Sequence, residues 1–199
     1  MMITRLTLIR HGLTQWNKLG RYCGCKDVAL SKEGKAQAKC LARRFTAVKF
    51  DKIYSSDRLR ALQTARIIFQ KAKITKLPPL REINFGVLGG MRHKEILEKY
   101  PSVYKKWLKD PYQDCIPGAE PMNTFKKRVE LGIKKVIRLN TGKELAIVCH
   151  GGVIGIIVSG ILKKKNFWRY VPKGASFTIV EYRSGRPKVK KFNETKHLE

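Results

Sequence analysis

Apolar residues recur along the chain in two alternating rhythms. Ile3 to Ile9 alternates and then runs apolar, the period-two pattern of a buried strand, and it stops abruptly on Arg10-His11-Gly12. From Lys32 to Val48 the spacing becomes helical, with Ala36, Cys40, Leu41, Phe45 and Val48 recurring and Ser31 placed to cap the start. Asp51 to Tyr54 predicts a short strand, broken by Ser55-Ser56-Asp57. Any of those three residues can cap the next helix, which carries Leu59, Leu62, Ala65, Ile68 and Phe69. Ile74 to Leu77 predicts another short strand before Pro78-Pro79. The stretch from Arg81 to Pro121 is irregular, with Gly86, Gly89, Gly90 and four prolines, and is interrupted by helices over Lys94–Lys99 and Val103–Lys109. Met122 to Leu139 is amphipathic through Phe125, Val129, Ile133, Val136 and Ile137. Leu145 to Cys149 is continuously apolar, the pattern of a strand buried on both faces, and it ends on His150-Gly151-Gly152 before an apolar helix from Val153 to Leu162. Phe177–Tyr182 and Lys188–Phe192 predict closing strands.

Strands alternating with helices predict an α/β domain with a largely parallel sheet. A single domain is expected over residues 1–192, with residues 193–199 as a loose tail whose final Leu-Glu reads as an appended scar. At 199 residues, one core can bury most of the apolar surface without disulfides. The hydrophobic fraction of 43% and charged fraction of 29% are those of a globular chain, and no window approaches the ~18–20 apolar residues of a membrane span. The first residues lack the pattern of a signal peptide, so a cytoplasmic location is expected, with no membrane association.

Charge changes the picture more than composition does. The formal net charge is +28, which suits nucleic acid, an anionic membrane or small anionic substrates. The basic residues are spread along the chain, however, and Lys163-Lys164-Lys165 is the longest pure run. No aromatic-interleaved signature accompanies them, so a nucleic-acid partner is not favoured. The five cysteines, at 23, 25, 40, 115 and 149, are too sparse for a disulfide framework, and Cys23-x-Cys25 has no second pair to complete a zinc spacing. No metal or other cofactor is expected.

The candidate chemistry lies at two strand ends. Of four histidines (11, 93, 150 and 197), two follow an apolar strand and precede a glycine. Ligands of open parallel sheets bind beyond the carboxyl ends of strands. One histidine in such a place is usually structural; two at equivalent strand ends, one beside an arginine, point to chemistry. Arg10 is a permanent cation whose planar fork matches phosphate oxygens. A neutral imidazole beside it can attack phosphorus, and the arginine opposes its protonation. Phosphoryl transfer needs positioning and positive charge more than elaborate covalent machinery. The sequence has no P-loop lysine motif, which favours a metal-free route.

These residues resemble a known family. RHGLTQWN (Arg10 to Asn17) is similar to the signature of the histidine phosphatase superfamily, the phosphoglycerate mutase-like proteins. GRYCGCKDVALSKEG (Gly20 to Gly34), YSSDRLRALQTA (Tyr54 to Ala65), LREINFGVLGG (Leu80 to Gly90) and VCHGGVIG (Val148 to Gly155) resemble its later blocks, in order and spacing, over nearly the whole chain. The resemblance implies a three-layer α/β/α fold. It implies His11 as the nucleophile, and Arg10, Arg60 and His150 around the phosphoryl oxygens, helped by Asn17 and the Gly151 amide. Glu82 would be the acid that protonates the leaving alkoxide and then takes a proton from water. Cys23 and Gly24 fall in a segment that resembles a pocket wall and would meet the substrate.

YPSVYKKWLKDP (Tyr100 to Pro111) and PGAE (Pro117 to Glu120) look like the shorter phosphatase branch, which includes α-ribazole phosphatases and broad-specificity phosphatases. Pro121 stands where that branch carries a helix-capping serine, and is expected in the first helical turn. Arg92 and Lys94 flank His93 on a loop expected to cover the pocket, where they either contact substrate or, as the plainer reading, form a solvated basic loop. The expectation is a metal-independent phosphomonoester hydrolase, working through a phosphohistidine on a small phosphorylated metabolite, α-ribazole 5′-phosphate being one candidate. The alternatives are a phosphoglycerate mutase and, more remotely, a non-catalytic nucleic-acid-binding protein on the same fold. No oligomeric state is readable.

Overall fold

The apolar runs assemble one sheet, and the sheet sets out the site. The structure, a computed structural model, describes residues 2–199. Six strands, β1 (Ile3–Arg10), β2 (Lys52–Ser55), β3 (Ile74–Lys76), β4 (Glu144–Cys149), β5 (Phe177–Arg183) and β6 (Arg186–Glu194), lie in the order β3-β2-β4-β1-β5-β6. The first four of that order are mutually parallel; β5 runs antiparallel to β1 and turns back as β6. The helices are α1 (Gln15–Lys18), α2 (Lys32–Arg44), α3 (Leu59–Phe69), α4 (His93–Lys99), α5 (Pro101–Lys109), α6 (Met122–Leu139) and α7 (Gly151–Ile161).

The pleat divides the strand side chains between two cores. Leu6, Leu8, Leu145 and Ile147 pack with Phe125, Val129 and Ile133 of α6 and Val153, Ile154 and Ile157 of α7. Ile9, Val148 and Phe177 face the other way, onto Leu41 of α2 and Ala61, Ala65 and Ile68 of α3. The sheet is therefore covered on both faces, as an α/β/α sandwich requires, which is why β4 reads as an unbroken apolar run. β6 is an edge strand, and its exposed Lys188, Lys190 and Lys191 blunt an edge that would otherwise template aggregation. Part of the basic surplus resides there. Among the described residues, no helix is long and apolar enough to cross a membrane.

Four details depart from the sequence reading. Ser31 caps α2 as expected, its Oγ accepting from the Gly34 N–H at 3.0 Å, but the helix stops at Arg44. α3 is not capped by Ser55, Ser56 or Asp57; the Leu59 N–H donates instead to Asp27 Oδ1 at 2.6 Å. Pro121 stands before α6 as its N-cap residue, outside the first turn. The end of the chain is no loose tail. Asn193 and Glu194 complete β6, and Lys196–Leu198 forms a 3-10 turn. That turn is held by a 2.9 Å contact between His197 Nε2 and the Ala175 carbonyl, with the ring 5.7 Å from that of Phe177. Ala175 and the first residue of β5 supply these partners, so the last residues gain contacts that their own polar sequence does not announce.

Candidate active site

β1 and β4 are adjacent and parallel, with Arg10 in register with Cys149. The next residue of each strand is a histidine, so His11 and His150 emerge side by side at the carboxyl edge. The His11 N–H donates to the Cys149 carbonyl at 3.0 Å, and the two imidazole centroids are 5.2 Å apart. The glycine after His11 serves close approach: a Cβ on Gly12 would lie 2.4 Å from the Gly34 carbonyl oxygen at the start of α2. The Gly12 N–H donates to Thr64 Oγ1 at 3.1 Å, tying this loop to α3.

Hydrogen bonds fix the state of His11. Its Nδ1 lies 2.8 Å from the Gly12 carbonyl, which can only accept, so Nδ1 carries the proton. Its Nε2 accepts from Arg60 Nε at 3.1 Å, and arginine can only donate. Nε2 therefore presents a lone pair. Arg60 is fully buried on α3, and its other two nitrogens donate to the carbonyls of Gly24 at 2.7 Å and Lys26 at 2.8 Å. Arg10 donates to the Pro172 carbonyl, and its Nε is buried without a partner. Among the described residues, neither arginine forms an ion pair within 4.0 Å. Glu82 is the one carboxylate that lines the cleft with these two guanidinium groups, so the site carries surplus positive charge.

α7 begins at Gly151, two residues earlier than its apolar run suggests, so its first N–H groups point to the same place. The Gly152 N–H is taken by Glu82 Oε2 at 3.0 Å, and Glu82 Oε1 accepts from the Ile83 N–H at 3.1 Å. A Cβ on Gly152 would lie 2.5 Å from Glu82 Oε1, so glycine is what admits the carboxylate.

Eight of the nine residues expected from sequence line a single cleft of about 230 Å3: Arg10, His11, Asn17, Cys23, Gly24, Arg60, Glu82 and Gly151. Asn17 spends its carbonyl oxygen on the Thr14 backbone and hydroxyl, at 3.1 and 2.9 Å, and turns its amide towards Cys23 Sγ at 3.6 Å. The ninth, His150, is fully buried beside His11 and outside the lining, its Nε2 2.8 Å from Ser56 Oγ and its Nδ1 without a partner. Among the described residues, no group of three or more His, Cys, Asp or Glu side chains is arranged to hold a metal ion.

The cleft also has walls that the sequence reading did not assign. Arg21 and Tyr22 line it, Arg21 donating to the Gly90 carbonyl at 2.6 Å and to Glu95 Oε2 at 3.1 Å. Phe167, Trp168 and Val171 close the far side, from a 3-10 turn well after the last helix. The aromatic-rich run Phe167-Trp168-Arg169-Tyr170 was the only local signal for that wall.

Burial above all, then the positive charges of Arg60 and Arg10, holds His11 well below the usual histidine range; the Gly12 hydrogen bond opposes this only weakly. His150 is held down in the same way, by burial first and then by Arg60, His11 and Arg10. The sign of the effect on stability follows. As pH falls through about 6.5, histidines of the unfolded chain take up protons while these two do not, so the unfolded state binds more protons. Stability is then lost with falling pH, by up to about 2.7 kcal/mol per pH unit while both groups differ between the two states. Urea unfolding midpoints should therefore drop steadily from about pH 6.5 to about pH 5.5. A level midpoint across that window would contradict the burial of two neutral imidazoles.

A profile of the family described as Histidine phosphatase superfamily (branch 1) matches residues 6–195. Phosphoserine phosphatase 1 of Hydrogenobacter thermophilus is 30% identical over 200 residues, covering 98% of this chain and 95% of that protein. Adenosylcobalamin/alpha-ribazole phosphatase of Salmonella typhimurium is 28% identical over 194 residues, covering 95% of this chain and 96% of the relative. Among solved structures, Bacillus stearothermophilus YhfR superposes with a TM-score of 0.91 at 29% identity, covering 98% of this chain and all of that one (100%).

Proposed function

The chain belongs to the histidine phosphatase superfamily, and from that premise we propose that it is a metal-independent phosphomonoesterase working through a phosphohistidine on His11. One observation carries the reading: the hydrogen bonds that leave the lone pair on His11 Nε2 do so beside Arg60 and Arg10, neither of which forms a direct ion pair among the described residues. The proton on Nδ1 and the suppressed basicity keep the ring a neutral nucleophile in mild acid.

In the first step Nε2 attacks phosphorus in line with the ester oxygen, the N–P bond forming as the P–O bond breaks. Before attack, Arg60 Nε must release Nε2, and the entering phosphoryl oxygens are the acceptors that replace it. Arg10, the Asn17 amide and the Gly151 N–H supply the remaining donors, so developing charge meets fixed dipoles and cations. Glu82, held by two backbone N–H groups at the cleft wall, gives its proton to the departing alkoxide. It then takes a proton from the water that attacks the phosphohistidine, which regenerates the acid. His150 packs against the His11 ring, and its unpartnered Nδ1 offers a second neutral imidazole nitrogen to the phosphoryl oxygens. The positive charge that a metal would otherwise bring comes here from two guanidinium groups.

The proposal extends to a compact substrate, because the cleft holds about 230 Å3. Phosphoserine and α-ribazole 5′-phosphate, named for the relatives, are the first pair to compare; the volume favours the smaller. Steady release of phosphate from p-nitrophenyl phosphate in EDTA, and from at least one of these two metabolites, is the expected result. Rapid isomerisation of 3-phosphoglycerate with 2,3-bisphosphoglycerate present, and little phosphate release, would overturn the hydrolase reading in favour of a mutase.

A further inference from the structure

A larger concavity, of about 660 Å3, lies beside the catalytic cleft between the C-terminal ends of α5 and α7 and the first turns of α6. We propose that it is a second, non-catalytic site for a linear oligophosphate, either bare or carried on an aromatic ring. Ile156, Ser159 and Gly160 of α7 and Asn123 of α6 contribute uncharged lining. Lys109, Lys126, Lys163, Lys164 and Lys165 also line it, against Asp110 as the one lining carboxylate.

These charges are poorly answered by the protein itself. Among the described residues, only Lys126 of the five has an acidic partner, Glu130 at 4.0 Å. Asp110 is already engaged, accepting from the Tyr112 N–H at 2.9 Å. Three consecutive lysines follow the end of α7, where the helix dipole welcomes a cation. The dipole does not explain the conformation of Lys163. Its φ is 53°, and the N–H groups of Lys163 and Lys164 close the helix on the Gly160 and Ser159 carbonyls, at 3.2 and 2.9 Å. That is the left-handed position at which helices favour glycine. A lysine held there keeps its ammonium at the rim at the cost of backbone strain, and such strain gathers at functional positions.

The shape selects the ligand class. Ammonium groups are point charges, suited to several oxygens spaced along a chain rather than to one planar fork. A single phosphate would meet only part of this array. Tyr112 and Trp168 add aromatic surface on which a ring can rest. No histidine lines this concavity, so the nucleophile of the catalytic cleft has no counterpart here, and the site is one of binding. Phe167 and Trp168 line both cavities, which places the ligand against the wall of the active site.

The test is a calorimetric titration of inorganic tripolyphosphate, and separately of ATP, into the full chain with orthovanadate saturating the catalytic cleft. Tripolyphosphate should bind with a stoichiometry of one. Lys164→Gln with Lys165→Gln should weaken it about tenfold, while Lys71→Gln with Lys73→Gln, on an exposed turn elsewhere, should change it less than about twofold. Lys163→Gly should weaken binding while raising Tm by about 2 °C, since glycine relieves the left-handed strain. Tighter binding of ATP than of tripolyphosphate would assign a ring-bearing ligand and the reverse a bare chain, and either upholds the site. Absence of tripolyphosphate binding with vanadate present, or equal weakening in the Lys71/Lys73 variant, would overturn it and leave bulk charge alone.

Discussion

His11→Ala should lower phosphatase turnover by about 10^4-fold or more while the protein remains folded and still binds its substrate. The size follows from what is lost. Without Nε2 no N–P bond can form, and the route that remains is direct attack by water, in which Glu82 would have to deprotonate the water and protonate the leaving oxygen in one step. The fold should survive because the ring is held by local contacts, Nδ1 to the Gly12 carbonyl and Nε2 to Arg60, while the β1–β4 ladder does not use the side chain. Binding should survive because Arg10, Arg60, Asn17 and Gly151 are untouched, and Arg60 Nε is released for a phosphoryl oxygen. The substitution should also roughly halve the loss of stability between about pH 6.5 and about pH 5.5, since one of the two buried neutral imidazoles is gone. Calorimetric binding, turnover and urea midpoints on one variant test the three together. Turnover within about tenfold of wild type would remove His11 from the nucleophile role.

The parts of this molecule legible in its sequence are those whose cause is local. β4 and the body of α6 can be read directly, because burial on both faces makes an unbroken apolar run and burial on one face makes a helical stripe. The expected span Met122–Leu139 is the span observed. The start of α3 is hidden because its cap, Asp27, lies 32 residues away along the chain. The ordered end of the chain is hidden for the same reason, since the partners of His197 are Ala175 and Phe177.

The site divides along the same line. Two histidines at strand ends are visible because strand ends are visible, and parallel pairing of β1 with β4 then forces them together. The wall made by Phe167, Trp168 and Val171 depends on how the segment after α7 folds back, and no periodicity encodes that. The full burial of His150 beside His11, with Nε2 on Ser56 and Nδ1 unpartnered, likewise needs coordinates: the motif brings the histidine to the site without showing which nitrogen stays free.

Arg60→Met should lower kcat/KM by about 10^3-fold without lowering the unfolding midpoint, an outcome opposite in sign to the usual cost of losing a fully buried, multiply bonded residue. Two effects compete. Removing the guanidinium leaves the Gly24 and Lys26 carbonyls without their donor, and each loss costs about 1–3 kcal/mol if the oxygen stays dry. Against that, burial lowers the pKa of Arg60, so the folded state bears a desolvated cation with no ion-pair partner among the described residues, a cost of several kcal/mol. Lys26 is exposed and its contact with Arg60 is only partly buried, so water can replace the lost donor there and leave Gly24 as the one dry carbonyl, and relief of the buried charge should prevail. Methionine keeps the length of the side chain and packs adaptably, which limits any cavity. The same change removes the donor to His11 Nε2 and one of the two cations that would hold the phosphoryl group, so catalysis fails where stability does not. Inorganic phosphate should raise the Tm of the wild type and have little effect on the variant, because the anion supplies the counter-charge that Arg60 lacks. A variant that unfolds at lower urea, or that keeps the phosphate-induced rise in Tm, would show that Arg60 is held for structure and that the phosphoryl group is gripped elsewhere.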